Sequence, residues 1–278
     1  MPKPRKRIST PCSICGTVNS VRKDFLQSIS RPYRCRHCPP KRKPKTFAQK
    51  LKTSKARRKY ALNEDFFEHI NNEEKCYWLG FLAGDGARTE NKVRLCLSIK
   101  DKDHLQKFKS AVEWTGKDYF HKDTNALEVY FGSFKMSADL AKYGVVPRKT
   151  FIIQFPKIPK HLEVHFVRGL FDADGCISRA KRITVGKKGQ KYIYYGGEFC
   201  IEGNKKFILV LRDKLMVLGL PLTSIDYSGK KINRVRYGGI NQLKTIYDYM
   251  YKDATVFLSR KKNLFEDILE NYYTERIS

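Results

Sequence analysis

One nine-residue design occurs twice in this chain, and it constrains the fold more than any other feature. Trp78-Leu79-Gly80-Phe81-Leu82-Ala83-Gly84-Asp85-Gly86 and Val167-Arg168-Gly169-Leu170-Phe171-Asp172-Ala173-Asp174-Gly175 are both apolar, helical in pattern and closed by Asp-Gly. Small residues recur four apart in each copy, Gly80 with Gly84 and Gly169 with Ala173. One stripe of each helix therefore lacks side-chain bulk, and a second helix can approach it closely. The natural partner is the other copy. Gly86 and Gly175 suit left-handed helix stops, which would leave Asp85 and Asp174 at matching helix C-termini beside a shared axis. Two carboxylates at the negative ends of two helix dipoles repel anions and call for a cation. A hard divalent ion with oxygen ligands and room for water and a phosphate fits that environment, Mg²⁺ better than Zn²⁺. A single Asp-Gly after a helix would be an ordinary turn. Two copies 89 positions apart mark a duplicated α/β unit.

Cysteine usage separates off the N-terminus. Cys12-Ser13-Ile14-Cys15 and Cys35-Arg36-His37-Cys38 are two C-x2-C knuckles 19 residues apart, the spacing of a four-cysteine zinc ribbon. A segment of roughly 40 residues with so few aliphatics needs such a metal to fold. A thioredoxin-like redox site would need only one knuckle and a strand-helix pattern that is missing here. His37 lies between ligands, but four thiolates already complete a tetrahedral shell. The remaining cysteines, Cys76, Cys96, Cys176 and Cys200, stand singly in apolar surroundings and read as small core residues of a protein kept in a reducing compartment.

The formal net charge is +28, and residues 1–60 hold 19 Lys or Arg against a single acid, Asp24. Such an excess points to a polyanionic partner, with nucleic acid the first choice. No apolar run approaches the ~18 to 20 residues that span a bilayer, and no signal-peptide core is evident. The expectation is an intracellular protein without membrane contact, in the cytoplasm of a bacterium or phage-infected cell, or in an organelle. After Cys38 the chain runs through Pro39-Pro40-Lys41-Arg42-Lys43-Pro44-Lys45, a stiff basic spacer, into a basic helix over 52–59. Residues 1–60 thus read as a zinc ribbon and linker forming an auxiliary DNA-binding arm.

Beyond the arm, two units are expected, 61–163 and 164–278. Val93, Leu95, Leu97 and Ile99 alternate with Arg94, Cys96, Ser98 and Lys100, the pattern of a half-buried strand, and Leu127, Val129 and Phe131 repeat it after a helix near 101–114. In the second copy, strands are expected over 177–185, 192–201 and 232–237, with helices near 204–218, 240–251 and 260–272. The fold class is α+β, two pseudo-symmetric αββαββα units whose antiparallel sheets form a saddle, preceded by the ribbon. The faces turned from the helices are expected to carry Arg94 and Lys100 in one unit and Arg179, Lys181, Lys191, Arg234 and Arg236 in the other. Strand ribbons bearing such side chains fit a DNA major groove.

The two motifs resemble the paired LAGLIDADG motifs of homing endonucleases in their single-chain form. The resemblance extends over roughly 61–278 through Asn63 to Gly86, Ser98 to Leu105, and Tyr143 to Thr150 followed by Pro156-Lys157-Ile158-Pro159. Ala83 stands where the family's first acidic residue lies, and its counterpart Asp172 reads as structural. The resemblance implies a monomer that cuts both strands of a specific DNA site and leaves 3′ overhangs. Mg²⁺ would be held at Asp85 and Asp174 together with the adjoining Gly84 and Ala173. Lys149 and its echo Lys261, in Arg148-Lys149-Thr150 and Arg260-Lys261-Lys262, are the implied basic residues near the reaction centre. Rival readings are an intron RNA maturase and a non-cleaving DNA-binding regulator of the same fold. Both terminal aspartates survive, which favours the enzyme. An intein is disfavoured because the sequence ends Glu275-Arg276-Ile277-Ser278 instead of His-Asn.

Overall fold

A computed structural model of the chain describes residues 6–38, 44–147, 152–185, 189–227 and 232–277. Arg148 and Lys149 lie outside the described residues. The chain divides into two compact units, Met1–Gln49 and Lys50–Ser278.

In the smaller unit β1 (Arg7–Pro11) and β2 (Val18–Arg22) form an antiparallel hairpin with Pro11 facing Val18, and α1 (Lys23–Ser28) follows. Its buried side chains, among the described residues, are Cys12, Val21 and Cys35. With so little apolar surface removed from water, its thiols have to supply the cohesion. Helix α2 (Phe47–Ala56) runs across the boundary between the units. It starts with a reciprocal cap, in which the Gln49 N–H donates to Thr46 Oγ1 (3.2 Å) and the Thr46 N–H to Gln49 Oε1 (3.0 Å). The basic helix therefore begins five residues before the expected position, where the capping pair sits.

The larger unit holds the duplication. Its first half runs α3 (Glu73–Gly84), β3 (Gly86–Arg88), β4 (Lys92–Ser98), α4 (Lys102–Ala111), β5 (Tyr119–His121), β6 (Ala126–Gly132) and α5 (Phe134–Lys142). Its second half runs α6 (Glu163–Asp174), β7 (Cys176–Val185), β8 (Lys191–Gly203), α7 (Lys205–Val217), β9 (Asp226–Tyr227), β10 (Asn233–Tyr237) and α8 (Ile240–Tyr251), then adds α9 (Ser259–Glu270) and β11 (Tyr273–Ile277). The first sheet has the order β3-β4-β6-β5. In the second, β8 pairs with β7 on one side and with β10 and β11 on the other, and β9 extends from β10. The shared order β7-β8-β10-β9 makes the two halves topological copies. Each follows from local chemistry. Asn72, Ser133 and Asn204 cap α3, α5 and α7 by accepting from backbone N–H groups three residues on (2.9, 3.1 and 3.1 Å). Alternation along β4 buries Val93, Leu95 and Leu97 beneath the helices.

The helix pair α3 and α6 forms the centre of the core. Tyr77, Trp78, Leu79, Phe81, Phe166, Val167, Leu170 and Phe171 are all buried. A Cβ at Gly80 would overlap the carbonyl of Phe166, and one at Gly169 would overlap the carbonyl of Tyr77. The small-residue stripes thus meet reciprocally, backbone to backbone. The expected left-handed stops are not found. Gly175 has φ −70° and ψ 164°, and neither it nor Gly86 is among the positive-φ residues. Glycine is required there because the chain turns back over the helix it has just left. A Cβ at Gly86 would lie 2.6 Å from the Leu82 carbonyl oxygen, and one at Gly175 would lie 2.7 Å from that of Phe171. Among the described residues, no helix is long and apolar enough to cross a membrane.

Gly169→Ala should destabilise the protein by about 3 kcal/mol or more, because the added methyl group has only backbone to displace. Gly132→Ala, whose Cβ would meet nothing nearer than the Asn91 carbonyl oxygen at 3.6 Å, should change stability by less than about 1 kcal/mol. Urea unfolding of the two variants checks the difference.

Candidate active site and nucleic-acid interface

The close helix contact brings the two motif ends together. A Cβ on Gly84 would lie 2.5 Å from Ala173 Cβ and 3.2 Å from both Cγ and Oδ2 of Asp174. The carboxylate of the second motif therefore rests on the last turn of α3. Asp85 follows directly and donates its N–H to the Phe81 carbonyl (3.0 Å). Both acids sit where helix carbonyls point outward, so the locale is negative before the side chains are counted.

Lys261 answers part of that field. Its ammonium is buried and donates to the carbonyls of Phe171 (2.6 Å), Ala173 (3.2 Å) and Gly175 (2.5 Å), closing the C-terminus of α6. Burial pushes its pKa below the ordinary lysine value, while Asp172, Asp85 and Asp174 push the other way. The expected basic residue is thus beside the motif, in contact with backbone. It also engages the carbonyl of Ala173, one of the residues proposed for metal. Its neighbour Arg260 makes a two-pronged pair with Asp101 (3.1 and 2.9 Å), tying α9 to the turn after β4.

Asp172 is fully enclosed. It accepts from Tyr77 Oη (2.8 Å), Tyr251 Oη (2.6 Å) and the Leu258 N–H (2.7 Å), and so fastens α6 to α3, α8 and the start of α9. Burial raises its pKa, and those three donors oppose the shift. Tyr77 Oη also meets His104 Nε2 (2.9 Å), whose pKa burial pushes down to about 3. The reading of Asp172 as structural matches this geometry.

No protein-family model matches the sequence, and no curated protein matches it. Solved structures do. A LAGLIDADG homing endonuclease, I-LtrWI bound to target DNA, aligns with TM-score 0.50 and 11% identity over 72% of this chain and 91% of its own. The meganuclease I-AabMI bound to uncleaved DNA gives 0.51, with the same identity and coverage. I-SmaMI bound to uncleaveable DNA gives 0.52 and 10% identity over 70% of this chain and 88% of that one. The chain has the LAGLIDADG endonuclease fold. At such identity the likeness fixes the architecture, and the roles of side chains rest on their own geometry.

The LAGLIDADG sheets each have one face turned from the helices, and strand register assigns residues to it. On β4 that face carries Arg94 and Cys96, opposite Tyr130 and Glu128 of β6. On β10 it carries Arg234 and Arg236, opposite Glu202 and Cys200 of β8. These arginines lie as expected. Lys100 lies in a turn past the strand, Ile99–Asp101. Arg179, Lys181 and Lys191 do not lie on the open face. Arg179 and Lys181 share the face of Ile177, which packs toward the helices; Arg179 pairs with Asp267 of α9, and the Lys181 ammonium lies 5.2 Å from the Tyr195 ring centroid. Lys191, opposite Val185, has the same parity. The β7–β8 ribbon runs beyond the core and exposes both faces, so charge there ceases to mark a side. The residue missed is Arg182, which lies on the open face opposite Tyr194 and is paired with Glu198 (2.9 Å). Counting by two from Cys176 would have found it.

In the smaller unit the four predicted thiols converge, with sulfurs within 4.8 Å of one another. Cys15 and Cys35 are 3.6 Å apart, and the N–H groups of Cys35 (3.3 Å) and Ile14 (3.5 Å) donate to Cys12 Sγ. Backbone donors, that of Cys35 first, pull the Cys12 thiol down to about 6, while hydrogen bonding to Cys15 pushes Cys38 up to about 12. Four sulfurs with N–H donors around them suit a four-thiolate metal such as zinc. His37 takes no part; its Nε2 accepts from Arg36 (3.1 Å). Of the other cysteines only Cys76 is a core residue, its thiol pushed up to about 12 by burial. Cys96 and Cys200 are half-buried and Cys176 is exposed, which corrects the expectation that all four fill the core.

Lys261→Met should unfasten the end of α6 and cost about 2 kcal/mol or more, since three carbonyls lose their donor. Thermal unfolding with no DNA or metal present isolates that effect from catalysis.

Proposed function

We propose that this chain is a site-specific double-strand DNA endonuclease. One observation carries the reading: two aspartates at the ends of two helices locked backbone to backbone, in a fold whose sheets present arginines on the side away from those helices. Solved proteins of the same fold are described as bound to target or uncleaved DNA. Asp85 and Asp174, with Gly84 and Ala173, are the residues that would hold Mg²⁺ at the two scissile phosphates. Their oxygen donors suit a hard ion in a negative locale. When bound, such an ion polarises the phosphate, lowers the pKa of the attacking water and stabilises the leaving 3′ oxygen. The chain's own work is placement. Lys261 fixes the carbonyls on either side of Asp174 and so sets its direction, and Asp172 fixes the same helix to α3 and α8. Lys149, which lies outside the described residues, is proposed as the second basic residue near the reaction centre on the family resemblance alone. Because the acids share one axis, the cuts are slightly staggered, and the resemblance to LAGLIDADG endonucleases implies 3′ overhangs.

Residues 1–60 form a Zn²⁺-dependent arm that lengthens the contacted DNA, residues 61–163 and 164–278 each address half of the site, and the protein acts as a monomer. Most of the lysine and arginine excess lies in that arm, where it supplies attraction that is indifferent to sequence.

Asp85→Asn or Asp174→Asn should lower double-strand cleavage at saturating protein and Mg²⁺ by more than about 10³-fold while leaving DNA binding within about tenfold. Wild-type cutting by either variant overturns the metal assignment. Tight, salt-resistant binding to a structured RNA with no cleavage of any DNA would transfer the case to a maturase.

Cys35→Ser with Cys38→Ser should release zinc from the arm and flatten the fall of log affinity with log salt, which is about 0.9 per phosphate neutralised. Cleavage should persist at saturating protein. Metal analysis and binding across a salt series read the two effects separately.

A further inference from the structure

Cys96, His121 and Glu128 form a second cluster of metal-binding side chains, and the reading above uses none of them. The pleat brings them to one face. Cys96 on β4 lies directly opposite Glu128 on β6, and on the other side of β6 His121 of β5 lies opposite Ala126, one same-face position from Glu128. A thiol sulfur, an imidazole nitrogen and a carboxylate oxygen thereby come within 4.8 Å of one another. His121 Nε2 and Glu128 Oε2 are already 2.6 Å apart, and Arg94 Nε stands off at 3.8 Å from the other carboxylate oxygen. Glu128 is only 8% exposed, which is unusual for a glutamate on a sheet face that carries no helix. The duplication does not repeat the cluster. The pair equivalent to Cys96 and Glu128 in the second sheet is Glu202 and Arg234, an ion pair at 3.4 Å.

We propose that Cys96, His121 and Glu128 constitute a Zn²⁺ site with a fourth position open to solvent. The mixed sulfur, nitrogen and oxygen donor set selects zinc or cobalt(II) over Mg²⁺, which avoids thiolates. Tetrahedral zinc holds such donors roughly 3.5 Å apart. The donor atoms, all within 4.8 Å of one another, are within about 1 to 1.5 Å of that spacing. On binding, the Cys96 thiol proton passes to solvent, the Nε2 proton that His121 shares with Glu128 is exchanged through solvent for one on Nδ1 so that Nε2 is free to coordinate, and the hydrogen bond between His121 and Glu128 gives way to two metal bonds. The ion then links the edge strand β5, three exposed residues long, to β4 across β6. It also cancels the negative charge of Glu128 on that face. This site shares no residue with the four-thiolate cluster or with the two motif aspartates, although Cys96 lies near enough to Asp85 to feel its charge.

Zinc counting on the full-length protein tests the proposal. Protein equilibrated with ZnCl₂ and exchanged into excess Mg²⁺, which leaves hard carboxylate sites to magnesium, should carry one more zinc per chain than Cys96→Ser or His121→Ala treated identically. Equal zinc in wild type and both variants overturns it. Cobalt(II) supplies a second reading that does not depend on the ribbon. In a background with Cys12, Cys15, Cys35 and Cys38 all replaced by serine, Co²⁺ should give a thiolate charge-transfer band in the near ultraviolet that disappears when Cys96→Ser is added, and a band that persists overturns the site. If Cys96→Ser fails to fold by circular dichroism, Glu128→Gln decides, with Co²⁺ affinity at least about tenfold lower expected and an unchanged affinity overturning the site.

Discussion

Everything in the larger unit depends on the direct meeting of two helix backbones at Gly80 and Gly169. Side-chain packing alone holds helices 8 to 10 Å apart and leaves their relative height adjustable by rotamer changes. Where the carbonyl of Phe166 fills the space a Cβ would need at Gly80, and that of Tyr77 does the same at Gly169, height and rotation are both fixed by hard contacts. The placement of Asp174 against Gly84 is a consequence of that register. The arrangement also sets two helix C-termini side by side, which is electrostatically unfavourable and has to be offset.

The offset comes from one half of the duplication. Lys261 satisfies the end of α6, and Arg168, 1% exposed, donates to the carbonyls of Met250 (2.8 Å) and Val256 (3.0 Å) while pairing with Glu73 at the start of α3. Asp172 gathers Tyr77, Tyr251 and the Leu258 N–H. The corresponding positions of the first motif are Leu79 and Ala83, which are apolar. Buried charges are stable only when each finds its partners, and a single well-paired set costs less than two imperfect ones. Because α8 and α9 pack beside α6, the second copy is where partners for buried ions are available.

Much of this was legible in the sequence. Repeated Asp-Gly with small residues four apart points to the helix pair, alternation to β4 and β6, and C-x2-C spacing to the convergence of four thiols. What escaped depends on contacts between segments far apart in the chain. Glycine's commonest use after a helix is a left-handed turn, whereas at Gly86 and Gly175 the return of the chain across Leu82 and Phe171 demands it instead. Arg179 and Lys181 were placed by charge instead of parity, and charge is uninformative on a ribbon wetted on both sides. Cysteine is usually buried, but at Cys96, Cys176 and Cys200 strand parity overrides that tendency. Strand β11 gave no warning, since Tyr273–Ile277 acquires its structure only by pairing with Lys191–Tyr195.

The open faces of the sheets suggest how attraction and discrimination are divided. Four arginines that register places there have acidic neighbours: Arg94 with Glu128 (3.8 Å), Arg182 and Arg236 with Glu198 (2.9 and 3.7 Å), and Arg234 with Glu202 (3.4 Å). Such pairing reduces the long-range pull of the sheets on a polyanion, yet it holds each guanidinium in a defined direction before contact. Fixed planar donors discriminate among base edges better than mobile ones, because less ordering remains to be done on binding. Most of the excess of positive charge lies instead in the first 60 residues, whose own sequence holds a single acid, Asp24, although Lys50 and Arg58 pair with Glu90 and Glu64. Under the proposed function, capture of duplex DNA by the arm and reading of its sequence by the sheets are physically separable tasks, the first strongly salt-dependent and the second set by geometry.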